Sequence, residues 1–109
     1  MSPTRLKRLQ AAGWKTSSVK GFLRLSDEEA VLVELRLSLA DAVKASRQKR
    51  RLSQNGLAQR MGSSQSRVAK MESGDPSVSL DLIFRAFFAS GGTRQELQRA
   101  FGAKEKLAA

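Results

Sequence analysis

The chain has 109 residues, enough for one small domain with some tail but not for two. It has neither cysteine nor histidine, which removes disulfides, thiolate and imidazole metal ligands, and the commonest general base. Its acids show no paired spacing that would replace them, so the composition predicts no catalytic site, no metal and no cofactor: a binding protein, not an enzyme. Twenty Lys and Arg against ten Asp and Glu give a net charge of +10, which calls for an anionic partner such as nucleic acid, an acidic protein surface or a membrane face.

Residues 1–25 hold six basic residues and no acid, and read as a basic N-terminal arm or extension. Ser2 and Pro3 suit a helix start and Gly13 a stop, bracketing a short basic helix. Only Leu6 and Leu9 give that segment large apolar side chains, a poor basis for membrane binding. No apolar run reaches the length of a membrane span, so the expected location is the cytoplasm, at the nucleoid. Phe22, Leu23 and Leu25 then form a small apolar knot.

Residues 26–102 read as the main domain. Ser26 and Glu29 form a capping box, and Asp27 and Glu28 suit the positive end of the helix that follows. Its pattern runs to about Arg51. On a helical wheel Asp27, Glu34, Ser38 and Asp41 share one side, while Leu32, Leu35, Leu39 and Val43 lie opposite. Arg36 falls on the apolar side and needs a partner or a route to water. The helix closes in a cationic cluster of Arg47, Lys49, Arg50 and Arg51.

Shorter helices follow. Ser53 caps one reaching about Met61; Ser64 caps another that ends at Gly74 in a left-handed residue. Asp75 and Pro76 break the chain. Ser79 starts a helix carrying Leu80, Leu82, Ile83, Phe84, Ala86, Phe87 and Phe88, and Gly91 with Gly92 ends it. Thr93 and Glu96 make a second capping box for a last helix with Leu97, Ala100 and Phe101 at core spacing. Gly102 is its expected stop, leaving 103–109 as a frayed tail. With no strand pattern anywhere, the chain reads as an all-α, five-helix domain.

One spacing stands out. From Ala58 it is four residues to Gly62, ten to Val68 and thirteen to Met71. A small Ala58 lets a following helix cross closely. Gly62 can take positive φ and turn the chain, and Val68 and Met71 fill the angle between the helices. Two short helices joined in this way form a helix-turn-helix.

Leu52, Ser53, Gln54, Leu57, Ala58, Met61, Gly62, Ser64, Ser66, Val68, Met71, Glu72 and Gly74 together resemble the helix-turn-helix of the phage-repressor-like XRE regulators. Two positions depart from that pattern: Gly56 replaces a good helix former, and Ser63 replaces a branched apolar residue that anchors the turn. The resemblance implies double-stranded DNA as partner, in the form of a palindromic operator read by a homodimer. Carried over by position, it implies that Gln54 approaches the DNA backbone or an adjacent base. Gln65 and Ser66 would face base edges, with Arg67 beside them and Ala69 and Lys70 on the same outward side. The types fit the chemistry: Gln suits adenine, Arg suits guanine, and Ala can touch a thymine methyl. The helix start at Ser64, with amides at residues 65–67, suits a phosphate.

The resemblance further implies an ion pair between Arg47 and Glu72, and leaves Lys49, Arg50 and Arg51 for nonspecific phosphate contact. Phe84, Phe88, Leu97 and Phe101 lie where related repressors pair, and serve equally well as ordinary core. Trp14, Phe22, Leu23 and the segment around Glu34, Leu35 and Arg36 resemble HigA-type antitoxins, which repress their own operon and neutralise a small RNase toxin. That adds a protein partner, engaged by residues 1–35, to the expectation, although a basic arm could equally lie along DNA. The alternatives are a stand-alone or prophage repressor, and a basic module that meets RNA or an acidic protein.

Overall fold

The computed structural model describes residues 7–8 and 27–108. Residues 27–108 form five helices: α1 (Asp27–Lys49), α2 (Gln54–Met61), α3 (Gln65–Ser73), α4 (Leu80–Ala89) and α5 (Arg94–Ala108). No strand lies among the described residues, so the architecture is all-α. The expected helix start at Ser2 and Pro3, the stop at Gly13, the knot at Phe22, Leu23 and Leu25, and the Ser26 cap lie outside the described residues.

Local chemistry explains where the helices begin. Ser53 Oγ accepts from the Gly56 amide at 2.9 Å, Ser64 Oγ from the Arg67 amide at 3.3 Å, and Ser79 Oγ from the Leu82 amide at 3.2 Å. At α5 the capping is reciprocal: the Glu96 amide donates to Thr93 Oγ1 and the Thr93 amide to Glu96 Oε1, both at 3.1 Å.

The helix ends share one device. After α1, α2, α3 and α4 a residue turns left-handed, and the next amide donates to a carbonyl five residues back: Leu52 to Arg47, Ser63 to Ala58, Asp75 to Lys70, Gly92 to Phe87. Three of the turning residues are glycines, with φ of 64° at Gly62, 77° at Gly74 and 99° at Gly91. The fourth is Arg51, at φ 57°. A left-handed conformation costs a residue with a Cβ about 1–2 kcal/mol.

The core collects Leu39, Ala42 and Val43 from α1, Leu57 and Ala58 from α2, Val68 and Met71 from α3, Val78 from the following loop, and Ile83, Ala86 and Phe87 from α4. The second half of α1 is the central element, packed against α3, α4 and α5 at once. Leu37, Ser38, Leu39, Ala40, Ala42, Val43 and Ser46 are all buried there. This corrects the wheel reading. Ser38, placed on the polar side, is 4% exposed, whereas Leu32 and Leu35, placed on the apolar side, are 57% and 38% exposed. A wheel assumes one buried face. A central helix buries most of its circumference where neighbours surround it, and none in particular where it runs past them.

Arg36 is settled by a hydrogen bond to the Val78 carbonyl, which ties α1 to the loop before α4. Burial pushes its guanidinium below its ordinary pKa. A second correction concerns Gly102, which does not stop α5: the helix continues to Ala108. Glycine within a helix costs about 1 kcal/mol relative to alanine and does not forbid it, and Ala103, Lys104, Glu105, Lys106 and Leu107 beyond it are good helix formers.

Ser63 follows the left-handed Gly62, the position at which such a turn commonly places an apolar side chain against the helix it ends. Its hydroxyl is buried with no hydrogen-bond partner. Leaving a buried hydroxyl unsatisfied costs about 1–3 kcal/mol. Ser63→Ala is therefore expected to raise the unfolding free energy by about 1 kcal/mol, read as a higher urea midpoint at unchanged m-value.

Candidate nucleic-acid interface

Helices α2 and α3 are joined by a turn of three residues in which Gly62 reverses the chain and Ser64 caps α3. Val68 and Met71 of α3 are fully buried, beside the fully buried Leu57 and almost fully buried Ala58 of α2. That packing fixes which side of α3 looks outward. Gln65, Ser66, Arg67 and Lys70 are exposed there, and Ala69 is half-buried. Four polar or cationic side chains on the outer face of a short helix, with its start unobstructed, make a reading edge of the right chemistry for a DNA groove. The Arg67 amide is taken by the Ser64 cap, so of the three amides expected to face a phosphate those of Gln65 and Ser66 remain.

Behind this edge runs a polar chain that starts in the interior. Arg47 Nε donates to Glu72 Oε2 at 2.5 Å and Arg47 Nη2 to Glu72 Oε1 at 3.0 Å, a two-bonded pair between α1 and α3. The side chains are 11% and 4% exposed. The remaining Arg47 nitrogen, Nη1, donates to the Leu52 carbonyl at 2.8 Å. The hydrogen bond to Glu72 raises the Arg47 pKa above its ordinary value; burial acts the other way and the carboxylate's charge adds to the rise.

Gln54 Nε2 donates to the same Glu72 Oε1 at 3.2 Å, and Gln65 Nε2 donates to Gln54 Oε1 at 3.2 Å. A carboxylate only accepts, so it orients the Gln54 amide with its NH₂ inward and its oxygen outward. That oxygen takes one N–H of Gln65. Gln65 keeps one N–H and its own oxygen, the donor–acceptor pair that matches adenine N7 and N6.

The cationic cluster divides. Lys49 Nζ reaches Glu96 Oε2 at 3.1 Å, and Arg50 Nη2 reaches Glu96 Oε1 at 2.8 Å. Arg50 Nη1 also donates to Ser46 Oγ at 2.8 Å, and Ser46 Oγ is 2.6 Å from the buried Ser90 Oγ. Both cations, expected at DNA phosphates, are held in the junction of α1 with α5. Sequence reading missed this because Glu96 lies 46 residues from Arg50 and reads locally as half of a capping box. Arg51, by contrast, is exposed with no ion pair among the described residues. Another unread contact joins Arg8 to Asp41 of α1 through two hydrogen bonds of 2.6 and 2.9 Å.

Of the four residues expected where copies pair, Phe84, Leu97 and Phe101 are partly buried against the chain's own core. Only Phe88 faces outward, 47% exposed, edge-on to Phe87 with ring centres 5.3 Å apart.

A family model described as helix-turn-helix matches residues 43–86, which hold the end of α1, all of α2 and α3, and most of α4. No curated protein and no solved structure matches the chain. A helix-turn-helix implies DNA binding, and no helix among the described residues is long and apolar enough to cross a membrane.

Two outcomes follow from this geometry. Removing one partner of a buried ion pair strands the other, so Glu72→Ala should cost about 3 kcal/mol in a denaturant titration and weaken DNA binding by freeing Gln54. The Glu96 carboxyl, held by Arg50, Lys49 and Thr93, has its pKa lowered from 4.5 to about 2. A depressed folded pKa means that its stabilisation is complete above 4.5 and is lost as pH falls toward 2. Melting temperature against pH should therefore fall less steeply across that window in Glu96→Gln than in the unmodified chain.

Proposed function

We propose that this chain is a sequence-specific transcriptional regulator of the XRE, phage-repressor-like kind, and that it represses by occupying a palindromic operator as a homodimer. Its work is binding; with no histidine or cysteine in the sequence, it is proposed to catalyse nothing. The observation that carries the reading is the outward edge of α3. Gln65, Ser66, Arg67 and Lys70 lie exposed together, and Gln65 is oriented through Gln54 by a buried ion pair. A general polyanion binder needs positive charge but has no use for a glutamine of fixed donor–acceptor polarity. In this reading Gln65, Ser66 and Arg67 face the bases, Gln54 positions Gln65, and Lys70 meets the backbone. One domain of this size reads few base pairs, which favours two copies on a two-fold site, with the exposed Phe88 at or near their contact.

A second role, as antitoxin to a small RNase toxin, is favoured by one specific feature. Val31, Leu32 and Leu35 stand exposed on the first half of α1, an apolar surface for a protein partner that uses none of the outward residues of α3. A toxin gene beside this one, and a complex with its product, would support that role.

The experiment is a comparison of duplex DNA from upstream of the gene with a scrambled duplex, across salt. Preference for the upstream duplex is expected, and Gln65→Ala or Arg67→Ala should cost about 1–3 kcal/mol on that duplex alone. Equal affinity for both duplexes, with one shared salt slope, would remove operator recognition.

A further inference from the structure

Arg51 stands apart on two independent grounds. It is the one described non-glycine residue with positive φ, at 57°. The other three helices that end in the same turn place Gly62, Gly74 and Gly91 at the equivalent position, so this fold meets the conformation with glycine wherever nothing else intervenes. Arg51 also differs from its neighbours in charge pairing. Arg47 is bound to Glu72, and Lys49 and Arg50 to Glu96, which leaves Arg51 as the cation of the cluster with an exposed side chain and no ion pair among the described residues.

The left-handed backbone closes the end of α1 through the Leu52 amide and the Arg47 carbonyl, as a glycine there would, and the Arg51 side chain adds no contact to that closure. Nothing in the fold accepts from the Arg51 side chain among the described residues, so its retention at a glycine position has no structural return. The location supplies one of another kind. Arg51 lies three residues before Gln54, on the connection whose Leu52 carbonyl is gripped by Arg47. Its backbone is thereby fixed to the ion pair that also orients Gln54 and Gln65.

We propose that Arg51 is a phosphate-contacting residue of the DNA interface, held in a strained backbone position for the sake of that contact. This rests on the DNA-binding reading above and deepens it. Arg51 supplies affinity without regard to sequence, while the two cations just before it, Lys49 and Arg50, are paired with Glu96 of α5. Its guanidinium would release about one counterion from the duplex.

The test uses the full chain with its upstream duplex and a scrambled duplex, and three proteins: unmodified, Arg51→Gly and Arg51→Lys. Arg51→Gly relieves the backbone, so its melting temperature should rise by about 4–8 °C. The same substitution should weaken binding by the same factor on both duplexes and make the slope of log K against log salt shallower by about 0.9. Arg51→Lys keeps charge and strain together, so slope and melting temperature should stay near those of the unmodified chain. A purely structural residue moves stability and affinity in the same direction; opposite signs identify the contact. Arg51→Gly with an unchanged salt slope overturns the proposal alone. An unmodified chain that binds neither duplex overturns the DNA-binding reading, and the proposal with it.

Discussion

The pair between Arg47 and Glu72 organises the molecule. It is nearly dry, it joins the central helix to the outward-facing one, and each partner has a second task. Arg47 closes the turn into α2 through the Leu52 carbonyl, and Glu72 holds Gln54. A nearly buried ion pair is seldom a bargain in stability terms, because desolvating two charges consumes most of their attraction. Two apolar residues would hold α1 against α3 about as firmly. What they would not do is set the angle of α3 and the polarity of the glutamines at its start, and both follow from a carboxylate with a fixed direction.

Electrostatics in this small domain therefore work on two levels. Glu72 and Glu96, standing on α3 and α5, each draw the end of α1 toward another helix and neutralise part of its cationic cluster in doing so. The excess charge of the sequence is consequently a poor guide to which cations are available. Those left without an ion pair on the described surface include Arg67 and Lys70 on the outward side of α3 and Arg51 ahead of α2, so the run from Arg47 to Arg51 presents fewer free cations than it contains.

What the sequence reveals about this fold depends on range. The caps at Ser53, Ser64, Ser79 and Thr93, and the left-handed ends at Gly62 and Gly74, are decided within a few residues and can be read directly. The crossing of α2 and α3 is also legible, since Ala58, Val68 and Met71 sit within fourteen positions. The burial of α1 is not. Whether Leu32 or Leu37 is covered depends on how far α3, α4 and α5 extend along it, which no wheel contains. Gly102 misleads for the opposite reason: its local preference against helix is real but small beside the good helix formers that follow. In the candidate site the outward residues of α3 are readable from Val68 and Met71 alone. The loss of Lys49 and Arg50 to Glu96 is not, because that contact spans nearly half the chain.

The repeated helix ending has a consequence for how the chain reaches this fold. Each of the four turns is closed by its own backbone amides within six residues and is opened by a serine or threonine cap three residues from its target, in the case of α2, α3, α4 and α5. Neither device waits for a distant partner. Helix boundaries are thus specified before the core assembles, and helix-to-helix contacts between sequence neighbours add little loop-closure entropy. Topologies of this sort sit at the fast end of the folding spectrum, where the microsecond-to-millisecond range is usual. For a chain this basic, which attracts polyanions in any conformation, a short stay in the unfolded state is itself protective: it limits the time in which an open chain can be trapped on nucleic acid before it has formed an edge to read with.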